Sequence, residues 1–118
     1  MKLYGIRVFV DDLEAARQFY GCTLGLPEAW RQEDAAAGFD IGGMLIIEKV
    51  ETDADADDKA LVGRFVGCSI HVDDIHATYD ALVAKGVRFI EAPEQQTWGG
   101  TLAHFMDPSG NTLTLLGD

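Results

Sequence analysis

The sequence is poor in residues that carry several common chemistries. It has two cysteines, Cys22 and Cys68, and no Cys-x-x-Cys pair, which argues against a disulfide scaffold or a cysteine-based zinc site. We interpret both as small buried apolar residues in a reducing compartment. No apolar run is long enough to cross a bilayer, and Met1 and Lys2 lead directly into a strand pattern without a signal peptide. The expected location is therefore cytoplasmic.

Basic residues are also scarce. The chain has nine Lys and Arg residues and twenty Asp and Glu residues, which gives a net charge of −11. Such a surface repels phosphate backbones and anionic lipids, so neither nucleic acid nor membrane is an expected partner. The sequence lacks a nucleophile elbow, a phosphate-binding loop and a dinucleotide fingerprint. Its paired glycines (42–43 and 99–100) do not join a strand to a helix, as a phosphate-binding loop requires.

What the sequence does contain is an internal repeat. Residues 10–15 (VDDLEA) reappear 62 residues later as residues 72–77 (VDDIHA). Each copy follows a β-branched, aromatic-containing run and precedes a helical pattern that ends at a glycine, Gly25 or Gly86. A repeat of this size indicates a duplicated supersecondary unit. With 47% apolar residues, the two copies can share one domain.

Both copies predict the element order β-α-β-β-β. The elements predicted for the first copy are a strand over 3–10, a helix over 13–24 and further strands between 28 and 50. Those predicted for the second are strands over 65–72, 87–90, 101–106 and 112–116, with a helix from 75 that ends at Gly86. Aspartates cap both helices, and residues 107–111 (DPSGN) form a turn. Module 1 thus covers about 1–50 and module 2 about 61–118.

The segment between the modules, residues 51–60, is rich in aspartate. Asp53, Asp55 and Asp57 alternate as in a calcium-binding loop. That loop requires glycine at its sixth position and glutamate at its twelfth, which are Asp58 and Arg64 in this chain. We therefore interpret the segment as a solvated acidic linker.

Together these features resemble the vicinal oxygen chelate superfamily, the glyoxalase/bleomycin resistance/dioxygenase group. The resemblance covers essentially the whole chain and depends on the two aspartate helix starts, Phe19-Tyr20 with Leu24-Gly25-Leu26, and the closing residues 105–111 (FMDPSGN). It implies an α+β fold in which two βαβββ modules form a cupped open-barrel sheet. It also implies a homodimer with binding clefts at the interface, and a single-chain mass by light scattering would count against that.

The resemblance further implies where a metal would bind. Enzymes of the superfamily hold a divalent metal with a histidine early in the first strand of each copy and a glutamate in the last strand of each copy. In this sequence the corresponding positions are Gly5, Gly67, Glu48 and Thr114. Glycine has no side chain and a threonine hydroxyl is a poor ligand for zinc, nickel or iron. The expectation is therefore no metal and no other cofactor at this position.

Strand alternation sorts the side chains into two faces. One face of the sheet carries the four implied metal-ligand positions and every second residue along the same strands. This face mixes aromatic, aliphatic and polar groups, which is typical of a small-molecule pocket. We add His104 to the residues of this face. We also add Trp98, which is either an aromatic lid over the ligand or an anchor for its own loop. The predicted ligand-binding residues are Arg7, Phe9, Met44, Ile46, Glu48, Ser69, His71, Trp98, His104, Thr112 and Thr114.

Several roles stay open at the level of sequence. One interpretation is that Arg7 binds an anionic or carbonyl-bearing ligand and that Glu48 orients this ligand. The other is that Arg7 and Glu48 form an ion pair that neutralises itself. His71 is a general base, a hydrogen-bond donor or a structural group, so the catalytic candidates are Glu48 and His71. A third arrangement joins His71, His104 and Glu48 in a zinc site.

The leading functional hypothesis is a metal-free protein that binds a small organic molecule, similar to the antibiotic-sequestering members of the superfamily. The acidic charge favours an aromatic or cationic ligand. The alternative is a glyoxalase-like lyase or isomerase, or a dioxygenase relative, working through a metal or an acid/base pair. A third hypothesis is an accessory module whose cleft is vestigial.

Overall fold

The computed structural model describes all 118 residues and divides them into two compact units. Unit 1 comprises Met1–Arg64 with Pro108–Asn111, and unit 2 comprises Phe65–Asp107 with Thr112–Asp118. Each unit contains a mixed sheet and helices, and neither sheet closes into a barrel. The predicted α+β class with two βαβββ modules is confirmed. None of the helices is both long and apolar enough to cross a membrane.

Unit 1 is built around a four-stranded sheet in the order β1-β4-β3-β2. Its strands are β1 (Gly5–Val10), β2 (Glu28–Gln32), β3 (Ala36–Asp40) and β4 (Met44–Lys49). β1 runs parallel to β4, and the other neighbours are antiparallel. The alternation predicted from sequence holds, since β1 buries Val8 and Val10 while its other residues are more accessible. The first strand begins two residues later than predicted.

The first helix departs from the prediction of one helix over 13–24. It is α-helical only over α1 (Leu13–Arg17) and continues as a π-helix over Gln18–Thr23. The consecutive residues Phe19 and Tyr20 are both buried, with ring centroids 5.1 Å apart, whereas Cys22 in the same segment is exposed and not buried as predicted. Hydrophobic periodicity does not distinguish these two helical forms over so short a segment.

Unit 2 contains β5 (Phe65–His71), α3 (Ile75–Ala84), β6 (Arg88–Phe89), β7 (Glu94–Gln95), β8 (Thr101–Met106) and β9 (Thr112–Gly117). Its sheet has the order β5-β9-β8-β6, and β7 also pairs with β8. The carboxylate of Asp74 accepts a hydrogen bond from the Ala77 backbone N–H, which is the predicted cap. The strand predicted over 87–90 is only two residues long.

A bulge interrupts β5. Phe65 pairs with Thr112 but Ser69 pairs with Thr114, so four steps along β5 span two steps along β9. Within the bulge Gly67 has a φ of +74°, a left-handed conformation that favours glycine. After the bulge the expected faces resume, because Cys68 is buried while Ser69 and His71 are exposed.

Candidate functional site

The five predicted site residues of module 1 lie on one face of the unit 1 sheet. The register of β1 against β4 fixes which of these residues are neighbours, because Arg7 pairs with Ile46 and Phe9 pairs with Glu48. Met44 shares this face, while its neighbours along the strand point into the core. The face is thus accessible and chemically mixed, as the alternation predicted.

Arg7 and Glu48 form a two-point ion pair. Arg7 Nε donates to Glu48 Oε1 at 2.7 Å and Nη2 donates to Oε2 at 2.9 Å. This hydrogen bonding raises the pKa of the Arg7 guanidinium above its ordinary value. The guanidinium carbon also lies 5.2 Å from the centroid of the Phe9 ring. The side chain of Arg7 stays 62% exposed, and its Nη1 edge takes no part in the pair.

Trp30 extends the same face. It pairs with Gly38, which in turn pairs with Ile46. The indole lies directly over the Gly38 backbone, where a Cβ atom would collide with it. Trp30 Nε1 is buried without a hydrogen-bond partner. The signal in the sequence was a lone glycine between alanine and phenylalanine in a strand, because such a glycine often marks a close approach.

A hollow of about 350 Å³ opens beside the ion pair. Its sheet side is formed by Arg7, Phe9 and Glu48, and its other side by the segment that sequence alone indicated to be a solvated linker. In the structure that segment contains α2 (Ala56–Lys59), capped by Asp55. An adjoining hollow of about 480 Å³ shares Val50 and Glu51 with it.

The site residues predicted for module 2, apart from Trp98, lie on one face of the unit 2 sheet. His104 pairs with Thr114 across β8 and β9, and its Nδ1 is 2.8 Å from Thr114 Oγ1. The ring of Phe65, which sequence reasoning did not single out, meets the His104 ring edge-on with centroids 5.9 Å apart. On the other side of β9, Ser69 of β5 also pairs with Thr114. Thr112, the remaining predicted residue on β9, lies two residues before Thr114 on the same face.

His71 and Trp98 are both at the surface. His71 Nε2 is 3.9 Å from Asp118 Oδ1, and it makes no closer polar contact. Trp98 is 65% exposed at the tip of a turn in which the Gln96 backbone N–H donates to the Gly100 carbonyl at 2.7 Å. The indole folds back over Gly100 and leaves its outer face open.

The four positions at which the resemblance implies a metal do not fit one. A Cβ atom on Gly5 would collide with the backbone carbonyl of Met44, and Gly67 has the left-handed φ of the bulge. Thr114 is 3% exposed and bonded to His104, and both oxygens of Glu48 are engaged by Arg7. No three His, Cys, Asp or Glu side chains cluster so as to hold a metal ion, which applies equally to His71, His104 and Glu48.

Each of the two units thus presents an accessible face of a mixed β-sheet. The model of the Glyoxalase/Bleomycin resistance protein/Dioxygenase superfamily matches residues 3–115, and the chain belongs to this superfamily. It is 31% identical to the uncharacterized protein YraH of Bacillus subtilis (strain 168), over 98% of this chain and 97% of YraH.

Two further similarities bear on function. The chain is 36% identical to a bleomycin resistance protein of Klebsiella pneumoniae over 62 residues, which cover 47% of this chain and 49% of that protein. A superfamily member from Sphaerobacter thermophilus DSM 20745 superposes with a TM-score of 0.81 at 27% identity, covering all of this chain and 98% of that one.

Proposed function

We propose that the protein binds a small organic molecule, without a metal, in the hollow beside Arg7, Phe9 and Glu48. The observation that carries this proposal is the hollow itself. It combines an accessible aromatic ring, an arginine edge with unused donors and a volume of about 350 Å³ on the mixed face of the sheet. Pockets for small molecules have this composition and volumes upward of about 300 Å³.

The metal-free part of the proposal is supported at the level of the backbone. Gly5 and Gly67 do not merely lack a coordinating atom. One position has no space for a side chain and the other has a conformation that side chains rarely adopt. Restoring a histidine would therefore require moving a strand at position 5 and would impose a strained left-handed backbone at position 67.

Binding energy at such a site comes mainly from apolar burial. A flat ligand lying on Phe9 removes apolar surface from water at roughly 25 cal/mol per Å², before the cost of association is subtracted. The Nη1 edge of Arg7 can donate to a carbonyl or hydroxyl oxygen of the ligand, which fixes its orientation. Glu48 holds Arg7 in place for this contact.

Capture of a ligand without turnover agrees with the similarity to a bleomycin resistance protein. We also propose that the protein acts as a homodimer, as the resemblance implies, and that it does so in the cytoplasm. A lyase or isomerase that uses Glu48 and His71 has less support, because Arg7 engages both carboxylate oxygens of Glu48.

Replacing Phe9 by alanine tests the proposed site. We expect titration calorimetry to show that the wild-type protein binds 1-naphthalenemethanol and that Phe9→Ala weakens this binding about tenfold, since a truncated aromatic anchor costs on the order of 1–2 kcal/mol. Arg7→Ala should weaken it by a smaller factor, because a donor to the hydroxyl is lost.

Tyr4→Ala is the matched control, because Tyr4 is an exposed aromatic of the same unit that does not line the hollow. Equal losses for the Phe9 and Tyr4 variants would place binding elsewhere. Unchanged binding in Arg7→Ala would show that Arg7 serves only its ion pair.

A further inference from the structure

The acidic segment between the modules forms a wall of the hollow. Ala54, Asp58 and Leu61 line it together with the sheet residues Arg7 and Phe9. The wall has a defined local structure. Asp55 Oδ1 accepts from the Asp58 N–H at 2.9 Å, and the Asp58 carbonyl accepts from the Leu61 N–H at 3.1 Å. The position of the Asp58 backbone relative to the hollow is therefore set by a capped helical turn.

The charges around the hollow are unevenly matched. Both cations that line it already have carboxylate partners. Arg7 is held by Glu48, and Lys49 Nζ lies 2.9 Å from Asp34 Oδ2 and 3.8 Å from Glu51 Oε2. Asp58 also lines the hollow and makes no ion pair. One carboxylate in this hollow is thus left without a cation.

We propose that the molecule bound in the hollow is an amphipathic amine. Its apolar body packs on Phe9 and Leu61, and its protonated nitrogen donates to the carboxylate of Asp58. This inference rests on the proposed function and adds the chemical class of the ligand. Hydrogen bonds between an ammonium group and a carboxylate are stronger than those between neutral partners. The net charge of −11 adds a long-range attraction for cations and opposes anions.

A pair of probes that differ in charge and share a ring system tests this inference. 1-Naphthylmethylammonium carries the cation, and 1-naphthalenemethanol presents the same ring with a neutral hydroxyl. We expect calorimetry on the full chain at low salt to give about five-fold tighter binding of the amine, since partly exposed ion pairs contribute up to about 1 kcal/mol.

Asp58→Asn should remove most of this preference and leave binding of the alcohol unchanged. Asp57→Asn is the matched control, because Asp57 lies on the same turn of helix but does not line the hollow. It should retain the preference, which should also shrink as salt is raised.

The outcomes separate the two proposals. If both probes bind with equal affinity, or if the Asp58 variant keeps the preference for the amine, the amine inference is overturned and the proposed site stands, provided that Phe9→Ala still weakens binding. If neither probe binds, or if Phe9→Ala has no effect on either, the proposed function fails and the inference fails with it.

Discussion

Alanine at position 5 is expected to destabilise the protein by about 2–3 kcal/mol, the upper part of the usual range for overpacking a tight site. Gly5 pairs with Met44 across the parallel strands β1 and β4, and a Cβ atom there would collide with the Met44 backbone carbonyl. The backbone carbonyl cannot relieve the clash by changing rotamer, as a flexible side chain can. The two strands must therefore move apart. Urea unfolding measures the loss as a lower midpoint at an unchanged slope.

Gly43→Ala is the control for this effect. A Cβ atom on Gly43 has no neighbour within 4 Å, and its φ is not in the left-handed region. Its stability should stay within about 0.5 kcal/mol of wild type. If Gly5→Ala were equally harmless, there would be room for a side chain at the first implied metal position, and an essential support for the metal-free site would be lost.

Asn111→Ala is expected to lower stability by about 3 kcal/mol, because it removes three hydrogen bonds made by one buried amide side chain. Asn111 is 1% exposed. Its Oδ1 accepts from the backbone N–H groups of Gly63 and Arg64 at 2.8 and 3.1 Å, and its Nδ2 donates to the Phe9 carbonyl at 2.7 Å. The side chain thus ties the segment after α2 to Phe9 in strand β1.

Two further variants define the cause. Asn111→Asp keeps both acceptor contacts but cannot donate to the Phe9 carbonyl, so it should also be strongly destabilised. Ser109→Ala, in the same turn, removes a more accessible hydroxyl bonded to Asp11 and should cost about 1 kcal/mol or less. Thermal unfolding in which Asn111→Ala melts with wild type would contradict the role assigned to this amide.

The sequence predicted the two sheet faces well, for a physical reason. Side chains in a strand alternate with a period of two, so one correctly placed residue fixes all the others. This holds for Arg7, Phe9 and Glu48 in unit 1, and the register places His104 opposite Thr114 in unit 2. The contact between Arg7 and Glu48 follows from the same alternation once the two strands are neighbours.

Other features could not be predicted, because they depend on local backbone choices or tertiary contacts. Alternation does not reveal the bulge at Gly67, since adding two residues restores the same parity. The acidic composition of residues 51–60 gave no indication that Ala54 and Asp58 line a hollow. The contact of Trp30 with Gly38 required the pairing of β2 with β3.

The most direct test of the metal-free account is elemental analysis of protein purified without chelator or affinity-tag metal, followed by thermal shift with nickel, zinc, manganese and iron(II). The account predicts far less than one metal per chain and no shift in melting temperature, because Gly5, Gly67 and Thr114 offer no ligands and Arg7 engages Glu48. One metal per chain, or a shift that Glu48→Ala abolishes, would contradict it and favour a metal-dependent enzyme.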